Sequence, residues 1–137
     1  MIDLLISGAA VFALDHWSKR MTALHAKVAI VCGPLLQIRH VASTRLSYAG
    51  RAGRTLLVSL WLVAFASALI LELSGTVFHS RSAAIGVGAA LGGAAGNLLD
   101  VFRSGSVVDF IDVGWWPVFN IADVAIIAGL TLAFWPA

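Results

Sequence analysis

Residues 96–123 read G-N-L-L-D-V-F-R-S-G-S-V-V-D-F-I-D-V-G-W-W-P-V-F-N-I-A-D. This stretch sets four aspartates (Asp100, Asp109, Asp112 and Asp123) and two asparagines (Asn97 and Asn120) between two strongly apolar segments. A charged side chain close to hydrocarbon is costly and as a rule marks function. Four carboxylates within 24 residues, at the mouth of an otherwise apolar chain, therefore define both the fold problem and the candidate site.

The rest of the composition fits that setting. Hydrophobic residues make up 60% of the chain and charged residues 12%, against roughly 45–50% and about 25% in soluble domains. The mean hydropathy is +0.94, so the chain reads as an integral membrane protein. Its 137 residues have room for one domain, 1–137. Nine Lys/Arg against seven Asp/Glu is too small an excess to suggest nucleic acid as a partner. The single cysteine, Cys32, rules out an internal disulfide and a cysteine-based metal cluster, and is expected to be a packed or interfacial thiol.

Working outward, the segment before the acidic stretch, Ala83 to Leu99, carries Gly88, Gly92 and Gly96 every four residues. Small residues at that spacing let helix backbones approach closely in lipid. The segment after Pro117, to about Trp135, is a second span, with Asn120 and Asp123 at i and i+3 in its first turns. By helical rise, Asp123 would lie some 6–9 Å below the start of that helix. Trp115, Trp116 and Trp135 bracket it as interfacial anchors. Leu56 to Leu73 gives an apolar span of 18 residues with Glu72 at its end, about 27 Å of helix. The first span, Ile2 to about Met21, lacks the basic start of a signal peptide. It ends on Asp15, His16, Trp17, Lys19 and Arg20, where Asp15 and Lys19 share a face at i and i+4.

Between the first two spans, Leu35 to Val41 reads as a short strand and Ser43 to Arg54 as a polar, basic loop. The predicted architecture is an all-α integral membrane protein of four transmembrane helices (about 2–21, 56–73, 83–99 and 118–135). A small extramembrane β-like platform lies between helices 1 and 2.

The acidic stretch suggests its own chemistry. V-V-D-F-I-D-V has strand composition, and positions three apart on a strand face opposite ways, so only one of Asp109 and Asp112 can point at Asp123. Two carboxylates held close do not both ionise. The ionised one takes a proton from a water attacking an amide, and the protonated one polarises the carbonyl and helps the amine leave. The competing use of carboxylates is a hard cation, but the spacing follows no calcium-loop pattern. A serine mechanism has candidates in Ser104 and Ser106 but no histidine nearby in sequence.

Four motifs together resemble signal peptidase II, the lipoprotein signal peptidase family: D-H-W-S-K at 15–19, G-N-L-L-D at 96–100, S-G-S-V-V-D-F-I-D at 104–112 and F-N-I-A-D at 119–123. They fall in the family's order across most of the chain. The resemblance implies an aspartic peptidase of the bacterial cytoplasmic membrane, multi-pass, with Asp109 and Asp123 as the catalytic pair. Asn97, Asp100, Asn120, Asp15 and Lys19 would support the site, and Asp112 would not be catalytic. It implies a prolipoprotein substrate, cleaved just before a diacylglyceryl-modified cysteine, with no metal or other cofactor. Membrane lipids are the further partners, cyclic peptide antibiotics the inhibitors, and the working unit a monomer.

The chain departs from the family in two places. Arginine normally follows the G-N-x-x-D aspartate, and this chain has Val101, with Arg103 two residues on as a substitute from another face. The platform's N-x-G-A-x-F signature is replaced by S-T-R-L-S-Y, Ser43 to Tyr48. Those family positions contact substrate and peptide antibiotics. They leave two alternatives open: a peptidase for a different membrane or lipidated peptide, or a non-catalytic binder of antibiotic or substrate. A proton-relay transporter is a poorer fit, because the acidic residues cluster at one mouth and do not line a path across the bilayer. The family places its active site on the outer face. Positive-inside counting points the other way, since eight of the nine Lys/Arg fall on the acidic side and only Arg81 on the other.

Overall fold

The computed structural model describes residues 1–24, 30–31, 37–43, 50–75 and 80–135. Within them lie four helices, α1 (Ile2–Leu24), α2 (Gly50–Ser74), α3 (Arg81–Ser104) and α4 (Ile121–Phe134). Three strands, β1 (Ile30–Val31), β2 (Gln37–Ser43) and β3 (Val107–Asp112), form one antiparallel sheet in the order β1-β2-β3.

The small-residue ridge explains the packing. α3 is central, laid extensively against both α1 and α4 and more lightly against α2. A side chain at Gly88 or Gly92 would be driven into the backbone carbonyls of Leu4 and Gly8 on α1. On the neighbouring ridge, a Cβ at Gly93 would stand 2.7 Å from the Ala122 carbonyl of α4. One helix therefore needs two bare faces, and the glycine spacing supplies both. α2 contributes little to this core. Little of its apolar length is buried within the protein, whereas much more of α3 is. A small cluster of Leu4, Ala68 and Ala84, with Phe65 and Leu91 packed on it, attaches α2. Trp61 Nε1 also donates to the Leu91 carbonyl (3.0 Å).

The helices depart from their predicted limits for local reasons. α3 runs on through Asp100 to Ser104 and stops at Gly105, which takes the left-handed conformation (φ 73°) and donates its N–H to the Val101 carbonyl. Its start is capped by the Ser80 hydroxyl, which accepts from the Ala83 N–H. α2 starts at Gly50, inside the stretch predicted as loop. α4 starts later than predicted, because Phe119 is extended and exchanges backbone hydrogen bonds with Ile111 of β3 (2.8 and 3.1 Å).

The sheet corrects the predicted platform. It is not built from the α1–α2 connection alone, because β3, which follows α3, pairs with β2 through Val41↔Asp109 and Ser43↔Val107. The predicted strand at 35–41 appears as Gln37–Ser43, and Cys32 and residues 44–48 of the altered platform lie outside the described residues. Of the helices, α2 and α3 are long and apolar enough to cross a membrane. α1 has the length, at 23 residues, but carries charge at its end. α4 is a shorter apolar helix of 14 residues.

The close α1–α3 approach yields a first prediction. Gly92→Val should force the two backbones apart and lower stability by about 1–3 kcal/mol, the usual cost of overpacking. Thermal unfolding in detergent measures it. The same substitution at Gly75, which has open space around it but a positive φ, tests backbone strain without packing.

Candidate active site

The site forms where the C-terminal halves of α1 and α3, the strand β3 and the first turn of α4 meet. Its centre is unusual for a membrane protein in being polar: Asp15, Lys19, Asp109 and Asn120 are all buried, and Asn120 and Asp15 are fully so. Such groups are tolerated only when each is paired, and here the pairing is extensive.

Asn120 sits between the two aspartates that the sequence singled out. It is the N-cap of α4, and its Oδ1 accepts from the Asp123 N–H (2.9 Å). Asp123 Oδ2 in return accepts from the Asn120 N–H (3.3 Å), completing a capping box. With its oxygen so used, the amide turns its Nδ2 toward Asp109 Oδ1 (2.8 Å), Asn97 Oδ1 (3.0 Å) and the Val108 carbonyl (3.3 Å). Asn97 Nδ2 donates to Asp123 Oδ1 (2.8 Å). The Asp109 carboxylate is thus held by the Asn120 amide, and the Asp123 carboxylate by the Asn120 backbone N–H and the Asn97 amide.

Lys19 anchors the other side. Its Nζ lies 2.5 Å from Asp15 Oδ2, 2.7 Å from Asp100 Oδ2 and 2.9 Å from Asn97 Oδ1. Asp15 Oδ1 accepts from the Ala122 N–H in the first turn of α4 (3.0 Å), and Asp100 Oδ2 from the Val108 N–H of β3 (3.3 Å). Gly96 makes room for this, since a Cβ there would lie 2.6 Å from Asp15 Oδ2.

The structure therefore brings together Asp15, Lys19, Asn97, Asp100, Asp109, Asn120 and Asp123. Asp112 faces away and accepts from the Gly114 N–H (2.8 Å), as strand alternation requires. Arg103 is exposed on the last turn of α3, and among the described residues no hydrogen bond or ion pair joins it to the cluster. Val101 is buried at 1% exposure. Ser104 Oγ is spent on the carbonyls of Asp100 and Ser106 (2.9 and 3.0 Å), which argues against its use as a nucleophile. Asp123 stands at the third residue of α4, about 4.5 Å along the helix and shallower than the predicted 6–9 Å. The sequence reading missed the backbone N–H groups of Ala122 and Val108. The N-x-x-D spacing of 120–123, a capping-box signature, was the available signal for the first.

Beside Asp123 opens an apolar cavity of about 660 Å³, lined by Val113, Trp115, Trp116, Phe119, Val124 and Ile127 among others. Trp115 and Trp116 pack edge to face at 5.7 Å and are otherwise exposed. Among the described residues no group of three or more histidines, cysteines or carboxylates is arranged to hold a metal ion.

The helices thus bring a buried, carboxylate-rich polar cluster beside an open apolar cavity. Two crystal structures described as "Bacterial membrane enzyme structure by the in meso method" share this fold, each with a TM-score of 0.78 over 94% of this chain. They are 20% and 22% identical to it, and the match covers 83% and 88% of their own chains. The family model for signal peptidase (SPase) II matches residues 8–137, and the chain belongs to that peptidase family. Among its relatives, a lipoprotein signal peptidase of Rhodococcus jostii is 33% identical over 94% of this chain and 69% of its own length. That of Syntrophomonas wolfei is 47% identical over 50% of this chain, and the match spans about half (49%) of its own length. The family is the one that the four motifs pointed to.

The Asn120 cap gives a second prediction. Asn120→Ala should cost about 1–2 kcal/mol of stability through loss of the cap. Asn120→Ser, which keeps a capping oxygen, should recover most of it, as read by thermal unfolding. Equal losses in the two variants would show that the cap is not what Asn120 contributes.

Proposed function

We propose that this chain is a membrane-embedded aspartic endopeptidase that removes the signal peptide of diacylglyceryl-modified prolipoproteins before the lipidated cysteine. The observation that carries the reading is the Asn120 amide, bonded at once to Asp109 Oδ1 and to the backbone of Asp123. Asp109 and Asp123 are the catalytic residues. One, ionised, takes a proton from water as the water oxygen bonds to the scissile carbonyl carbon. The other, protonated, gives its proton to the carbonyl oxygen. The gem-diol then collapses, the C–N bond breaks, and the amine leaves with a proton returned by the pair.

Asn97, Asn120, Asp15, Lys19 and Asp100 hold this pair in place. The apolar cavity beside Asp123 is suited to the uncharged part of a lipidated peptide, and Trp115 and Trp116 fit the role of interfacial anchors. In this reading all four helices cross the bacterial cytoplasmic membrane and the site opens on the outer face. Lys19 is withdrawn from the positive-inside count, because Asp15 and Asp100 neutralise it within the bundle.

A second reading is favoured by one observation. Val101 is buried where the family has arginine, and Arg103 is exposed away from the cluster. On this reading the same chemistry acts on a different membrane or lipidated peptide.

The test is cleavage of a diacylglyceryl-modified prolipoprotein by the purified protein in detergent. Asp109→Asn and Asp123→Asn should each lower the rate on the order of 10³-fold or more. Wild-type rates in either variant would refute the aspartic mechanism. Tight binding of a peptide inhibitor with no turnover of any lipidated substrate would make the protein a binder.

A further inference from the structure

Lys19 is a buried cation, 5% exposed, whereas Arg20 and Arg103 are exposed among the described residues. An ammonium has three donors and no acceptor, and its three partners here are Asp15, Asp100 and Asn97. Each partner passes a bond onward to an element that carries a proposed catalytic aspartate. Asp15 receives the N–H of Ala122, one residue before Asp123. Asp100 receives the N–H of Val108, one residue before Asp109. Asn97 donates directly to the Asp123 carboxylate.

The third arm differs in kind. An asparagine amide presents an oxygen on one side and a nitrogen on the other, and either end fits the same space. A group that only donates must meet the oxygen, which leaves the nitrogen for Asp123. Asn120 Nδ2 also donates to Asn97 Oδ1, but it divides two hydrogens among three acceptors. Lys19 is the cation on that oxygen. Without it the amide can turn over and set its own oxygen against a carboxylate oxygen, where two acceptors repel.

We infer that Lys19 is a positioning residue for the hydrolysis: through Asn97 it fixes the donor that meets Asp123. The inference rests on the aspartic-peptidase reading above. Lys19→Met should lower kcat by about 10²-fold, the usual size of a small misplacement at a reacting centre, with KM little changed. In an Asn97→Ala background the same substitution should cost less than about threefold, because the group it acts through is gone. Losses that multiply in full would overturn the inference.

Removing the ammonium alone leaves Asp15 and Asp100 buried without a cation, which endangers folding. A charge-neutral set therefore runs in parallel: Asp15→Asn, Lys19→Met and Asp100→Asn together. Asparagine at 15 and 100 keeps an oxygen for the N–H groups of Ala122 and Val108. Adding Asn97→Ala to that set should cost less than about threefold, against about 10²-fold in the otherwise unchanged protein. Equal costs in the two backgrounds would overturn the inference while leaving the peptidase reading intact. Absence of cleavage by the wild type itself would overturn both.

Discussion

The ion pairs of Lys19 with Asp15 and Asp100 set the terms for the rest of the molecule. Three charges in a buried setting destabilise unless their geometry is good and the remaining lone pairs are satisfied. The structure meets that demand by making the carboxylates accept backbone N–H groups from α4 and β3. The bonds that neutralise the charge thereby join four elements at one point. Two of those elements carry Asp109 and Asp123. Paying for buried charge and positioning the site are one structural act.

That junction requires the helices to be very close, which lipid does not enforce. In a bilayer there is little hydrophobic drive between helices, so close packing depends on small residues. The ridge Gly88, Gly92, Gly96 continues in register to the site: its first two members admit the α1 backbone and its last admits the Asp15 carboxylate. A larger residue anywhere along it would move Lys19 away from Asn97. α2, which lacks such a ridge and attaches through Trp61, Phe65 and Ala68, lies outside this constraint.

Much of this was legible in the sequence, because the signals were local or periodic. The i and i+4 pairing of Asp15 with Lys19, the four-residue glycine spacing and the alternation that turns Asp112 away from Asp109 all follow from helix and strand geometry. The failures were long-range. No local pattern says that β3 joins the strand before α2, nor that Phe119 remains extended against Ile111 and so delays α4 by three residues. Backbone donors such as Val108 N–H carry no side-chain signature at all. Arg103 was a reasonable candidate by position, but the helix runs on to Gly105 and turns it outward.

The same geometry bears on the departure from the family at Val101. Every side chain that holds the aspartate pair has at least two bonds within the cluster, so replacing one breaks several contacts and the cost does not stay local. Val101 has a different position. It is buried on the last turn of α3, while Asp100 beside it already has Lys19 and the Val108 N–H as partners. An arginine is therefore not needed to satisfy that carboxylate, and its loss leaves the shell around Asp109 and Asp123 complete.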